Sequence, residues 1–202
     1  AIHSVAINGV GDRIVAAGVD GSLRLLALRG ESVPPLYRAE EARISEFAID
    51  PRGSCIASVG IDGSLALWAF DEERSVSRLL RHDDAAQGVV FDSSGDHIVS
   101  AGTDGSVRLW TADGEPAAAP FRGHQGRVLS VGFNPSGDRI VSGGEDGTVR
   151  LWTLNGEPTA EPFRSNGAGV LSVGFNPSGD RIVSADQEGA VRLGAPDGQQ
   201  VT

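Results

Sequence analysis

From Val128 to Phe133 the chain alternates the bulky Leu129, Val131 and Phe133 with the small Ser130 and Gly132. A period of two predicts a β-strand with one bulky and one slim face, because successive side chains leave a strand on opposite sides. Asn134-Pro135-Ser136-Gly137 then supplies turn chemistry, Arg139 to Gly143 reads as a second strand, Asp146-Gly147 signals a hairpin, and Thr148 to Trp152 reads as a third strand. Asn155-Gly156 turns the chain into a weaker outer strand near Thr159 to Phe163, where Pro158 and Pro162 suit a sheet edge. This unit is predicted to form a four-stranded antiparallel sheet.

The unit recurs. Val128 to Ser142 (VLSVGFNPSGDRIVS) returns unchanged as Val170 to Ser184, 42 residues later. The same spacing lines up Leu26, Trp68, Trp110, Trp152 and Gly194, and likewise Gly21, Gly63, Gly105, Gly147 and Gly189, so five units follow one another without insertion. A 42-residue period suits the four-stranded blades of a β-propeller. Helical solenoids have similar periods but lack the two-residue alternation. The prediction is an all-β chain, a single propeller domain or part of one, with five four-stranded antiparallel blades at approximately 1–42, 43–84, 85–126, 127–168 and 169–202.

Composition narrows the partners. With 28 Gly, 10 Pro and 5% aromatics, the chain favours short strands and many tight turns. Its 17 Lys and Arg against 27 Asp and Glu leave a net charge of −10, which disfavours nucleic acid and anionic membranes as partners. Its apolar runs, such as Ile14 to Val19, fall short of the roughly 18 residues of a membrane-spanning helix. Cys55 is the only cysteine, so the fold needs no internal disulfide and a cytoplasmic location is expected.

Gly123-His124 precedes the inner strand, and Asp146-Gly147-Thr148-Val149-Arg150-Leu151-Trp152 closes the third. These residues, recurring in register, resemble the WD-repeat family. The family's trailing Asp is absent, since Ala69, Thr111 and Thr153 follow the three tryptophans. The resemblance implies a hydrogen-bonded structural tetrad in each blade. His82, Ser100, Asp104 and Trp110 form one complete set by position, and His124, Ser142, Asp146 and Trp152 another. The second unit keeps Ser58, Asp62 and Trp68 with Glu40 in place of His; the fifth offers Asn166, Ser184, Glu188 and Gly194; the first keeps only Asp20.

The resemblance further implies a protein-interaction scaffold or sensor, binding on the face that carries the turns between second and third strands. The residues before each hairpin Asp, namely Val19, Ile61, Thr103, Glu145 and, by position, Gln187, differ between units and are candidate partner contacts, with Arg43 and Arg127 beside them. Rings of this family usually have seven or eight blades, so five imply part of a larger ring, self-association through two open end faces, or tight closure of five blades, with the first favoured. Gly114-Glu115-Pro116 and Gly156-Glu157-Pro158 resemble bacterial WD-repeat arrays, which commonly follow a signalling enzyme and act as its sensor or scaffold.

Ser, His and Asp together also suit nucleophilic catalysis. An active site is assembled once, whereas this set occurs twice and decays through the other units, so a structural role is expected and no enzyme activity. Cys55 lacks the paired ligands of a metal site, and Gly143-Gly144 lacks the lysine and helix of a phosphate cradle. The recurrent Arg24, Arg108, Arg150 and Arg192 are expected to serve blade packing or ion pairing. A small-molecule or glycan-binding propeller is the alternative, but it needs recurrent free aromatics, and the tetrads already take Trp68, Trp110 and Trp152. A hydrolase needs carboxylates around the channel, where Glu46 stands alone. No catalytic, cofactor or metal site is expected.

Overall fold

The computed structural model describes residues 2–27, 37–38, 43–69, 80–164 and 167–199, and among these every regular element is a strand. The first sheet is a meander of β1 (Ile2–Ile7), β2 (Arg13–Gly18), β3 (Ser22–Ala27) and β4 (Tyr37–Arg38). The second is built likewise from β5 (Ile44–Ile49), β6 (Cys55–Gly60), β7 (Ser64–Ala69) and β8 (Leu80–Arg81). The third holds β9 (Ala86–Phe91), β10 (His97–Gly102), β11 (Ser106–Thr111) and β12 (Phe121–Arg122). The fourth holds β13 (Val128–Phe133), β14 (Arg139–Gly144), β15 (Thr148–Thr153) and β16 (Phe163–Arg164). The fifth has β17 (Val170–Phe175), β18 (Ile182–Asp186) and β19 (Val191–Gly194), three strands rather than the expected four among the described residues. The position 42 residues after Phe163 lies beyond Thr202.

Two expectations about strand detail need correction. The alternation in β13 does not run its full length, because Val128 pairs with Gly144 and Ser130 with Gly143, leaving Leu129 as the extra residue of a bulge. The bulge puts Val128 on the same side as Val131, and those two are buried while Leu129 is half-exposed. The outer strand is not Thr159 to Phe163 but Phe163–Arg164, preceded by a single bridge from Trp152 to Pro158. Prolines have no N–H to extend a ladder, and after the Thr159 amide reaches Leu151 O at 3.0 Å the chain leaves the sheet until Phe163.

Consecutive sheets pack face to face, with β5 between β1 and β9, and β13 between β9 and β17. Bulky residues meet slim ones. Val131 lies over Gly88, where an added Cβ would stand 3.7 Å from Val131 Cγ2. Each junction has its own apolar cluster: Val15, Ala17, Leu23 and Leu25 against Ile44, Phe47, Ile56 and Trp68 at the first, and Val141, Val149 and Leu151 against Val170, Val173 and Ile182 at the last. Burying each Val, Leu or Ile contributes about 1.5–3 kcal/mol. The end faces carry the same positions uncovered. Ile2, Val5 and Leu26 are exposed where Ile44, Phe47 and Trp68 are buried, and Val183, Val191 and Leu193 where Val141, Val149 and Leu151 are buried.

Candidate functional site

The turn from β10 to β11 folds a carboxylate back on its own strand. Gly105, at φ 76°, lets the chain reverse, so that Asp104 Oδ1 accepts the Ser106 amide at 3.0 Å and the Ser106 hydroxyl at 2.7 Å. His82 arrives from the connection after β8, its amide donating to Gly63 O at 2.9 Å in the preceding sheet. Its Nδ1 stands 3.3 Å from Asp104 Oδ1 and its Nε2 2.7 Å from Ser100 Oγ. Trp110, paired across from Ile98, donates its indole N–H to the same Ser100 Oγ at 2.9 Å. The fourth sheet repeats this: His124 Nδ1 is 3.1 Å from Asp146 Oδ1, His124 Nε2 is 2.7 Å from Ser142 Oγ, and Trp152 Nε1 donates to Ser142 Oγ at 2.8 Å.

The geometry fits a neutral imidazole that donates from Nδ1 to the carboxylate and accepts the serine proton at Nε2. Burial depresses the pKa of both His82 and His124, against the opposing pull of Asp104 and Asp146. Burial pushes the two carboxylates the other way, but hydrogen bonds outweigh it. Asp146, held by the Gln125 amide, the Thr148 hydroxyl and His124, falls to about 2. Asp104 lies well below the usual carboxylate range, held by the Ser106 hydroxyl and amide, the Asp83 amide and His82. Each serine–histidine–aspartate line has the order of a nucleophilic triad, yet Ser100 and Ser142 are 0% exposed and each Oγ already accepts an indole N–H. No acyl group can approach them. The chemistry available there is mutual satisfaction of buried polar groups.

The other sheets depart from this pattern. In the second, Trp68 Nε1 donates to Ser58 Oγ at 2.8 Å, and Asp62 accepts from Ser64 and faces Arg81 at 3.6 Å. Glu40 and Asn166, expected opposite the serines of the second and fifth units, lie outside the described residues. In the first, Asp20 is exposed and, among the described residues, accepts from Ser22. The fifth requires a correction. Glu188 is exposed, and the buried carboxylate is Asp186, which accepts the Glu188 amide at 3.1 Å and the Ala190 amide at 2.9 Å. Asp186 occupies the place of Gly102 and Gly144. A Cβ on Gly102 would fall 2.2 Å from His82 Nδ1 and 2.4 Å from Asp104 Oδ1, so a side chain there enters the space the turn carboxylate fills elsewhere.

Around these networks lies an exposed rim at the same end of the sheets. Val19, Ile61, Glu145 and Gln187 are exposed and Thr103 is half-buried. The structure brings Ile61 to Arg43, through amide to carbonyl at 3.0 Å, and Glu145 to Arg127, at 2.8 Å by the backbone and 3.8 Å between side chains. Thr103 and Gln187 are tied in the same way to Ala85 and Gly169. Of the recurrent arginines, Arg108 pairs with Asp83 at 3.0 Å and Asp104 at 3.2 Å, Arg192 approaches Asp186 at 3.9 Å, and Arg24 is exposed. Cys55 is half-buried, and burial and Asp50 push its thiol up to about 11. Among the described residues no group of His, Cys, Asp and Glu is placed to hold a metal.

Position-by-position reading missed Ser106 and Thr148, whose hydroxyls touch both histidine and aspartate. Their signal was present, because Ser22, Ser64, Ser106 and Thr148 recur at the 42-residue spacing. A family model described as WD domain, G-beta repeat matches the chain at residues 73–111, 115–153 and 156–193, more than half of its length. No curated protein matches it.

Proposed function

Because the chain belongs to the WD-repeat family, whose repeats generally mediate protein–protein scaffolding, we propose that it is a non-enzymatic protein-interaction module whose partner seats on the rim of Val19, Ile61, Thr103, Glu145, Gln187, Arg43 and Arg127. The observation that carries this reading is the contrast within each turn: the Gly that shapes it is kept in all five sheets and the Asp before it in four, while the residue preceding them, exposed everywhere but at the half-buried Thr103, is apolar, hydroxylic, acidic or amide from sheet to sheet. A copied frame with varied tips makes each sheet contribute a different contact to one surface. The acidic balance favours a protein partner over nucleic acid or an anionic membrane, and the module works in the cytoplasm as the sensor or scaffold of a larger signalling protein. Photo-crosslinking tests the face. A benzophenone side chain at Ile61 or Glu145 should capture a shared polypeptide, and capture only from Ser94 and Ser136, in the turns at the opposite end, would overturn the assignment.

The five sheets belong to a larger ring. Support comes from the two end faces, which carry the two complementary halves of the junction built between neighbouring sheets inside the chain. Further blades of the same kind cover both faces. Dye-binding and solution-mass measurements on this segment should show accessible apolar surface or association, whereas a compact monomer without such surface would instead support closure of five blades.

A further inference from the structure

The third and fourth sheets share a frame, yet their equivalent arginines differ in how they are satisfied. Arg108 uses four of its five N–H donors: Nη2 donates to Asp83 Oδ2 at 3.0 Å and Asp104 Oδ2 at 3.2 Å, Nη1 to Arg81 O at 2.7 Å, and Nε to Ser106 Oγ at 3.4 Å. Arg122, from the outer strand, approaches the same Asp83 at 3.6 Å. One carboxylate thus sits between two guanidinium groups.

In the fourth sheet three of Arg108's four partners are changed, while Asp146 keeps the place of Asp104. Gln125 stands where Asp83 does, Gly123 where Arg81 does, and Thr148 where Ser106 does, while Arg150 and Arg164 keep the places of Arg108 and Arg122. Gln125 turns its amide to Gly123 O at 3.5 Å, and the Thr148 hydroxyl is engaged by Asp146 and His124. Arg150 Nε is buried with no hydrogen-bond partner. Among the described residues neither Arg150 nor Arg164 forms a side-chain hydrogen bond or an ion pair. Gln125 and Arg164 are exposed and Arg150 is half-buried, so the space between them opens to solvent. It lies on the same end of the sheet as Arg127 and Glu145, since the Gln125 amide donates to Asp146 Oδ2 at 2.8 Å.

We propose that Arg150 and Arg164 form an acceptor site for a carboxylate side chain on an acidic segment of the protein partner, which takes the place that Asp83 fills one sheet earlier. Guanidinium groups bind carboxylates through paired N–H donors, and the third sheet displays the occupied form of the site within this chain. Gln125 is the residue that leaves it vacant. The charge argument is local: a chain with net charge −10 repels an acidic peptide on average, so attraction must come from arginines that the chain itself has not neutralised.

This inference deepens the interaction-module reading and rests on it, but its test is separate from crosslinking at the rim. Fluorescein-labelled hexaglutamate and hexaglutamine peptides are titrated into the full chain at low ionic strength and followed by polarisation. Hexaglutamate should bind at least about tenfold more tightly, and Arg150→Ala, Arg164→Ala and Gln125→Asp should each weaken it by about fivefold or more. Gln125→Asp recreates the third sheet's arrangement, so it should keep or raise the melting temperature while losing the peptide, which separates site occupancy from misfolding. Arg24→Ala, at an exposed arginine away from this site, should leave binding unchanged. Equal binding of the two peptides, or hexaglutamate binding that survives both Arg150→Ala and Gln125→Asp, would overturn the proposal. Displacement of hexaglutamate by inorganic phosphate at far lower concentration than by acetate would overturn it in favour of a phosphorylated partner.

Discussion

Replacing His124 by Ala is the most direct measure of what the buried network contributes. The ring supplies the acceptor for the Ser142 hydroxyl and a donor to Asp146, at 2.7 and 3.1 Å. Without it, Ser142, which is 0% exposed, keeps the indole N–H of Trp152 but has nowhere to place its own proton, a cost of about 1–3 kcal/mol. Asp146 still accepts from the Gln125 amide and from the Thr148 amide and hydroxyl, so its loss is limited to about 1 kcal/mol. The vacated volume beside Trp152 and Gly144 adds about 1 kcal/mol more. These terms share one site and do not add fully, so the expected destabilisation is about 3 kcal/mol, or about 6–12 °C in melting temperature for a chain of this size. Scanning calorimetry at neutral pH measures it, with Gln125→Ala, an exposed neighbour, as the comparison expected to stay within about 0.5 kcal/mol. A loss below about 1 kcal/mol for His124→Ala, or one no larger than for Gln125→Ala, would refute the account of the network as a stabilising unit.

Three further outcomes are expected. Both buried histidines have folded pKa values below the ordinary value of about 6.5, so the unfolded chain binds more protons; stability is full above about pH 6.5 and falls below it, and falls again below about pH 4 as Asp104 and Asp146 lose their advantage. Urea midpoints that stay level between pH 8 and pH 5 would contradict this. Gly144→Ala puts a Cβ 2.4 Å from His124 Nδ1 and should destabilise by about 2 kcal/mol or more, whereas Gly174→Ala, with nothing within 4 Å, should stay within about 0.5 kcal/mol; equal urea midpoints would remove the close-packing argument. Cys55, with its thiol pushed up to about 11, should react with iodoacetamide at pH 8 far more slowly in the folded chain than in urea, and similar rates would count against its burial.

The sheets were legible in the sequence because two periods coincide there, an alternation of two within strands and a spacing of 42 between units. What escaped was set by local geometry. The bulge at Leu129 leaves no compositional mark: a single extra residue moves Val128 to the Val131 side, and the sequence reads as unbroken alternation. Thr159 and Phe163 favour a strand, so the sequence points to an early outer strand, but the two prolines interrupt the ladder and pairing resumes only at Phe163. Matching by offset points to Glu188 for the fifth carboxylate, because it assumes that a function stays at its place in the chain. The site requires only that an oxygen reach the turn amides, and Asp186 does so from two residues earlier. The contrast between Arg108 and Arg150 was present in the sequence as Asp83 against Gln125, but without the fold nothing connects residues 25 positions apart.

The two complete networks occupy neighbouring sheets, the third and fourth, while the sheets farther out retain only parts of them. In a stack where each layer touches only its neighbours, stability is close to a sum of layer and junction terms. Layers with the fewest fixed polar groups therefore open first, and among the five sheets the opening spreads toward a resistant pair, the third and fourth. Amide hydrogens of β10, β11, β14 and β15 are then the last to exchange with solvent, and those of β1 and β19 among the first. The rim formed by the third and fourth sheets consequently keeps its shape through partial openings that would dissolve the same turns in sheets with fewer fixed polar groups, and so serves as a durable docking platform.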